Sequence, residues 1–201
     1  IGPPGAQGAV TGVTNVIAEF TVYGEGSLRV MDGLTATLGG RYTHSRLGGE
    51  GEDVAPGMAT NFRAITASRV EEVFLPSASL AATVFPDTTI GARYQLGFRP
   101  GGVAISGPGV ARFRNDRTET FEFGARHGHP GRGPFDVAAS VSYTRWHDIQ
   151  ADFIDSTGFP TTANIGDGRI WSATLIAGVE VTPDLRIDGG FTYNDSRIDK
   201  P

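Results

Sequence analysis

Chemistry in this chain would have to come from a handful of residues, and each constellation is incomplete. His127 and His129 flank Gly128, a spacing at which two imidazoles could hold one metal ion. Zinc needs further N, S or O donors, yet no cysteine and no nearby acidic pair completes the set. The segment runs into Pro130 and reads as a solvated turn. Glu50, Glu52 and Asp53 lack the alternating oxygen spacing of a calcium loop and read as charged loop. Ser140, Ser142 and His147 share a region, but Ser142 and His147 project to opposite faces of a strand, which disfavours a nucleophile–base pair. There is no glycine-x-serine-x-glycine elbow, and the glycine-rich stretches lack a phosphate-loop lysine. The expectation is a protein that is not an enzyme, with no catalytic residue, metal or cofactor.

The arginines are the better candidates. Sixteen stand against one lysine, Lys200. Arg41, Arg93, Arg126 and Arg186 fall on the polar faces of alternating segments, together with Glu122 and Asp188. Two readings stay open for them: ion pairs shielded inside a closed structure, or a lining that draws an anionic small-molecule ligand. Arg99, Arg112, Arg114 and Arg117 gather around a long glycine-rich connection, where they are expected at the surface, within reach of ligand or lipopolysaccharide phosphates. The candidate ligand-binding set is Arg41, Arg93, Arg99, Arg112 and Arg114. A net charge of −5 argues against nucleic acid as partner.

The elements that must carry these residues repeat. Tyr42, Tyr94, Tyr143 and Tyr193 lie 52, 49 and 50 residues apart, each at the end of an apolar/polar alternation that starts at a tight turn. Leu34, Ala36, Leu38, Gly40 and Tyr42 share one face; Thr35, Thr37, Gly39, Arg41 and Thr43 share the other. The pattern returns in Ile90–Leu96, in Phe135–Tyr143 and in Leu185–Tyr193, while Trp171 leads the apolar face of the strand from Arg169 to Val181. A period of two strands is a hairpin repeat. Eight strands are expected, with short turns near 31–33, 86–87, 128–134 and 182–184 and long loops near 47–72, 99–117 and 151–168.

Strict alternation of short and long connections belongs to an up-and-down barrel of the outer membrane. No apolar run approaches the ~18 residues of a membrane helix, so any crossing must use strands. From Leu34 to Tyr42 the chain climbs roughly 20 Å once tilted, close to the ~25 Å apolar band of such barrels. Tyr42, Tyr94, Tyr143, Trp171 and Tyr193 are then expected at the membrane interface, outward-facing. A soluble β-sandwich that binds ligands through its loops would alternate too, its apolar faces meeting in a core.

Several segments resemble the barrel of TonB-dependent outer-membrane receptors. Leu34–Arg46 is similar to the family's strand ending in glycine-x-arginine-tyrosine, and Gly97-Phe98-Arg99-Pro100-Gly101-Gly102 to a strand closing at the outer surface. Phe121-Glu122-Phe123-Gly124 resembles the glutamate-x-glycine strand that follows. Asp148-Ile149-Gln150 and Asn164-Ile165-Gly166-Asp167-Gly168 come in the order of the next hairpin and loop. The resemblance implies a segment of a bacterial outer-membrane transporter for a scarce nutrient such as an iron-siderophore. It implies outer-membrane lipid and a small-molecule ligand as partners, and the TonB energy-coupling system acting through a plug outside these residues. The expected fold is an all-β, antiparallel up-and-down transmembrane barrel, of which this chain gives about eight consecutive strands. The alternative is a self-contained eight-stranded structural or adhesive barrel.

Overall fold

A computed structural model describes residues 10–54, 65–106, 109–154, 156 and 160–199. Among them are twelve strands and no helix: β1 Val10–Met31, β2 Leu34–Val54, β3 Ile65–Phe85, β4 Thr88–Arg99, β5 Gly102–Ser106, β6 Gly109–Phe113, β7 Asp116–His129, β8 Arg132–His147, β9 Gln150–Ile154, β10 Pro160–Asn164, β11 Gly168–Thr182 and β12 Leu185–Ile198. Eight of these form one antiparallel sheet in the order β1-β2-β3-β4-β7-β8-β11-β12, and the pairs β5–β6 and β9–β10 are separate hairpins. Every strand of the large sheet pairs with its neighbours along the chain, an up-and-down meander. The order is linear, ending at β1 on one side and β12 on the other, so the sheet is an open wall and not a closed eight-stranded barrel.

Four connections are tight because each sits on a one-residue bulge. The register shifts between Arg29 and Met31, Thr83 and Phe85, His127 and His129, and Glu180 and Thr182. An extra residue adds the twist that lets a two-residue reversal join long strands. In the first turn the left-handed backbone falls to Gly33, with φ 77°, where a side chain would be strained. The other connections hold more ladder than the sequence suggests. Gly48, Gly49 and Gly51 continue β2, paired with Ser68, Ala67 and Ile65 of β3. Pairing uses backbone groups alone, so glycines flanked by two partner strands can extend a sheet that their propensity would end. The expected loop tip at 55–64 lies outside the described residues.

Register assigns every side chain to a face. Leu38, Phe74 and Phe191 on the apolar face are 69%, 63% and 64% exposed, so no second layer covers it and the sheet is not half of a sandwich. Gly40 sits beneath the Phe74 ring: a Cβ there would lie 2.6 Å from its Cζ. That close approach explains the glycine before Arg41-Tyr42. The polar face is stitched by hydroxyl pairs, Ser27–Thr37 at 2.8 Å, Thr21–Thr43 at 3.0 Å and Thr120–Thr144 at 2.9 Å. At one end of that face the β5–β6 hairpin folds back against β1 and β2. The buried side chains of this end include Thr43, Ser45, Leu47, Glu71, Val103 and Ala104.

A face uncovered by protein and free of charge between turn and tyrosine must reject charge in lipid. Leu38→Arg and Leu80→Arg should each cost ~2–4 kcal/mol in a bilayer-refolding titration, and Thr37→Arg far less. Equal costs on both faces would reverse the assignment.

Candidate functional site

The candidate ligand surface is the polar face and the loops that roof it. Arg41 stands opposite Tyr23 and Leu75, and Arg93 opposite Ser79 and Glu122. Both are exposed, and among the described residues neither makes an ion pair within 4 Å, even though Glu122 is the direct cross-strand neighbour of Arg93. Arg126 is likewise without an ion pair there.

Arg186 is different. From β12 it reaches Asp188 on its own strand, with Nε 2.9 Å from Oδ1, and extends across β11 to Asp136 on β8. The path is open because Gly178 lies between: Asp136 and Asp188 are both register partners of Gly178. A Cβ on Gly178 would collide with the Arg186 guanidinium. Asp136, nearly buried at 8% side-chain exposure, therefore depends on a glycine for its counter-ion. Alternation marks Asp136 as a polar-face acid between Phe135 and Val137, but nothing in the sequence signals the notch at Gly178.

At the loop end the arginines act as ties. Arg99 contacts Asp116 at 2.5 Å, donates to the Gln150 carbonyl at 3.0 Å and lies 6.0 Å from the Trp146 ring centre. Arg114 pairs with Asp148 at 2.8 Å. Its backbone N–H donates to Asn164 Oδ1 at 2.6 Å, and its carbonyl accepts from Gln150 and Asn164. Asn164 also donates to the Asp148 carbonyl, and Gln150 to that of Pro100. The 100–115 and 148–167 connections are thereby fastened together. Glu71 anchors the first of them to β3, accepting the Gly101 N–H at 3.4 Å while paired with Arg69 at 2.9 Å. Arg112 is exposed on β6, beside a shallow recess bordered by Leu47, Ser68 and Val103. Of the five candidate arginines, Arg41 and Arg93 share the polar wall, Arg99 and Arg114 bind loops to each other, and Arg112 stands apart.

The remaining sequence candidates fall outside any site. His127 Nδ1 is 2.8 Å from Thr88 Oγ1, and His129 Nδ1 is 3.7 Å from Asp87, at the bulged turns opposite the loop hairpins. Among the described residues no three metal-ligating side chains converge. Ser142 faces the polar side and His147 the apolar side.

The sequence matches the family model described as TonB dependent receptor-like, beta-barrel, over residues 2–201. The chain belongs to the TonB-dependent receptor β-barrel family. Solved structures with the same fold include the ferric yersiniabactin uptake receptor FyuA from Yersinia pestis, at 16% identity and a TM-score of 0.80, covering 95% of this chain and 28% of that one. The FrpB iron transporter from Neisseria meningitidis is 16% identical with a TM-score of 0.68, covering 93% and 27%. The ferric-catecholate import receptor Fiu from E. coli K12 is 14% identical with a TM-score of 0.70, covering 94% and 29%. This TonB-dependent receptor barrel segment therefore spans under a third of the length of each. No curated protein matches the chain by sequence.

Two outcomes follow from these contacts. Gly178→Ala should displace Arg186 and destabilise the folded protein by ~1–3 kcal/mol through the stranded Asp136 carboxylate. Adding Asp136→Asn should recover most of that loss, and a double variant as unstable as the single would disprove the notch. The Asp167 carboxyl is held below its ordinary value of 3.8, first by the Asp148 backbone N–H and next by His147. A lowered folded-state pKa gives stability that is complete above the ordinary value and lost as pH falls through the lowered one. The Asp148 amide, 2.9 Å from Asp167 Oδ1, should lose hydrogen-exchange protection only below the ordinary carboxylate range, and Asp167→Asn should flatten that dependence.

Proposed function

We propose that this chain is a wall and loop segment of an energy-coupled transporter of the bacterial outer membrane, taking up a scarce anionic nutrient with iron-siderophore as the leading class. The two-faced sheet carries this reading. One side is apolar and uncovered, the other polar with arginines that make no ion pair among the described residues, and loop hairpins roof the polar side at one end. That is the layout of a lipid-facing wall around an aqueous lumen. Arg41 and Arg93 serve as the anion-attracting lining, Arg112 as a loop contact. The motion that releases ligand belongs to a plug driven through TonB, outside the residues described.

The register supports one interface level for three of the four tyrosines. Tyr94 shares a row with Phe121, Tyr143 and Trp171, and that row meets β2 at Leu38, four residues short of Tyr42. Tyr193 shares a row with Ala173 and Val141, two residues short of Tyr143. The stagger is thus six residues over the six strand-to-strand steps from β2 to β12. In distance this is about 20 Å along the strands against about 29 Å across them, which corresponds to a tilt of roughly 35°, normal for barrels. At that tilt Tyr42, Tyr143 and Tyr193 stand level, and Tyr94 lies two residues, about 6 Å along β4, nearer the turns.

The test is uptake of radiolabelled ferric siderophores by iron-starved cells. Deleting the gene should abolish uptake of the cognate chelate, and so should loss of TonB in cells that keep the gene. Arg41→Gln with Arg93→Gln should raise the apparent KM roughly tenfold, the scale of one lost charge-assisted contact. Undiminished uptake without TonB would overturn the reading.

A further inference from the structure

Next to the aromatic row on the apolar face, register brings three arginines side by side. Arg145 of β8 is paired with Arg169 of β11, and Arg169 with Arg197 of β12. Like charges directly opposed across strands destabilise a sheet, so the row calls for an anionic counterpart. The carboxylates within reach take only part of its donor capacity: Glu119 lies 3.9 Å from Arg145, Asp199 3.5 Å from Arg169 and Asp195 3.3 Å from Arg197. Each guanidinium has five N–H donors, and the three side chains remain 57%, 45% and 65% exposed. Arg145 is held toward the sheet by Tyr143, whose ring centre is 5.8 Å away. Arg117, on the same face, is the register partner of His147, which contacts Asp167 at 3.4 Å.

Beside this row the same face is hollowed into a trough of about 650 Å³. Ala78 and Ala92 floor it, and two ring pairs wall it, Tyr94–Phe121 at 4.8 Å and Tyr143–Trp171 at 4.7 Å. It runs from Leu38 on β2 to Trp171 on β11, five strand spacings or about 24 Å, long enough to lay down one extended acyl chain. Arg145 and Arg169 stand on the same face two residues beyond Tyr143 and Trp171, which wall the trough at that end. A long apolar groove with cations at one end fits an amphiphile with an anionic head, and guanidinium is the side chain best shaped for phosphate.

We propose that this face binds a lipid of the outer leaflet whose phosphate headgroup carries net negative charge, its phosphate across Arg145, Arg169 and Arg197 and an acyl chain in the trough. The site rests on the barrel reading above, which puts this face in lipid. Trp171, in the trough wall, reports on it directly once Trp146 and any tryptophan outside these 201 residues are replaced by Phe.

The experiment is quenching of Trp171 in the full-length protein, reconstituted in phosphatidylcholine vesicles that contain brominated phosphatidic acid or brominated phosphatidylcholine. Phosphatidic acid should be preferred roughly tenfold at Trp171, the scale of one to two arginines near an anionic surface, the rest being offset by the carboxylates already within reach. The preference should vanish in the Arg145→Gln, Arg169→Gln, Arg197→Gln triple variant and shrink in Ala92→Phe, which fills the trough while keeping the arginines. Equal quenching by both lipids, or a preference untouched by either variant, would overturn the site and leave the barrel standing. A preference abolished by millimolar inorganic phosphate would reduce it to a headgroup contact and overturn the acyl trough. No quenching by either lipid would overturn the barrel reading along with it.

Discussion

The whole structure depends on one requirement: each strand must have its backbone donors and acceptors satisfied by the next strand, and on the proposed membrane reading one face of the sheet offers no water to do it. In an apolar medium an unpaired amide or carbonyl costs several kcal/mol. The ladder from β1 to β12 is accordingly continuous apart from four bulges beside the tight turns and a break toward the loop end, where β3–β4 pairing stops at Ser77 and Gln95 and Pro76 has no N–H to give. Continuity of pairing fixes the register, and register fixes which residues meet. Both the polar arginines of the wall and the arginine row on the opposite face follow from it.

The two faces are stabilised in different ways. On the apolar face, rings pair across strands and the Phe74 ring lies on the bare backbone of Gly40. On the polar face, hydroxyls pair with hydroxyls, and the Asp136–Arg186–Asp188 group spans three strands. Leaving Arg41 and Arg93 without ion pairs among the described residues is tolerable because they are exposed; a buried cation in that position would cost far more.

Much of this was legible in the chain. The tyrosine period, the polar or proline-bearing turns and the two-residue alternation identify the eight long strands and their faces, because burial on one side alone imposes that alternation. The resemblance around Gly40-Arg41-Tyr42 and Asn164-Ile165-Gly166 added the family. The loops were not legible. Val103-Ala104-Ile105 is too short a run to distinguish a hairpin strand from a turn, and glycines at 48, 49 and 51 argued for an end to β2 that its two neighbours override. The reach of Arg186 to Asp136, 50 residues apart, depends on an absent side chain at Gly178 and leaves no periodic trace. Arg99 and Arg114 read as free surface charges until Asp116 and Asp148 folded against them.

The fastening of the 100–115 connection to the 148–167 connection has a mechanical meaning. Gln150 and Asn164 join the two through main-chain carbonyls as well as side chains, so one cannot swing without breaking several hydrogen bonds or carrying the other along. A ligand that pulled on either would move a single rigid lever, and its leverage would be felt on both β4–β7 and β8–β11 at once.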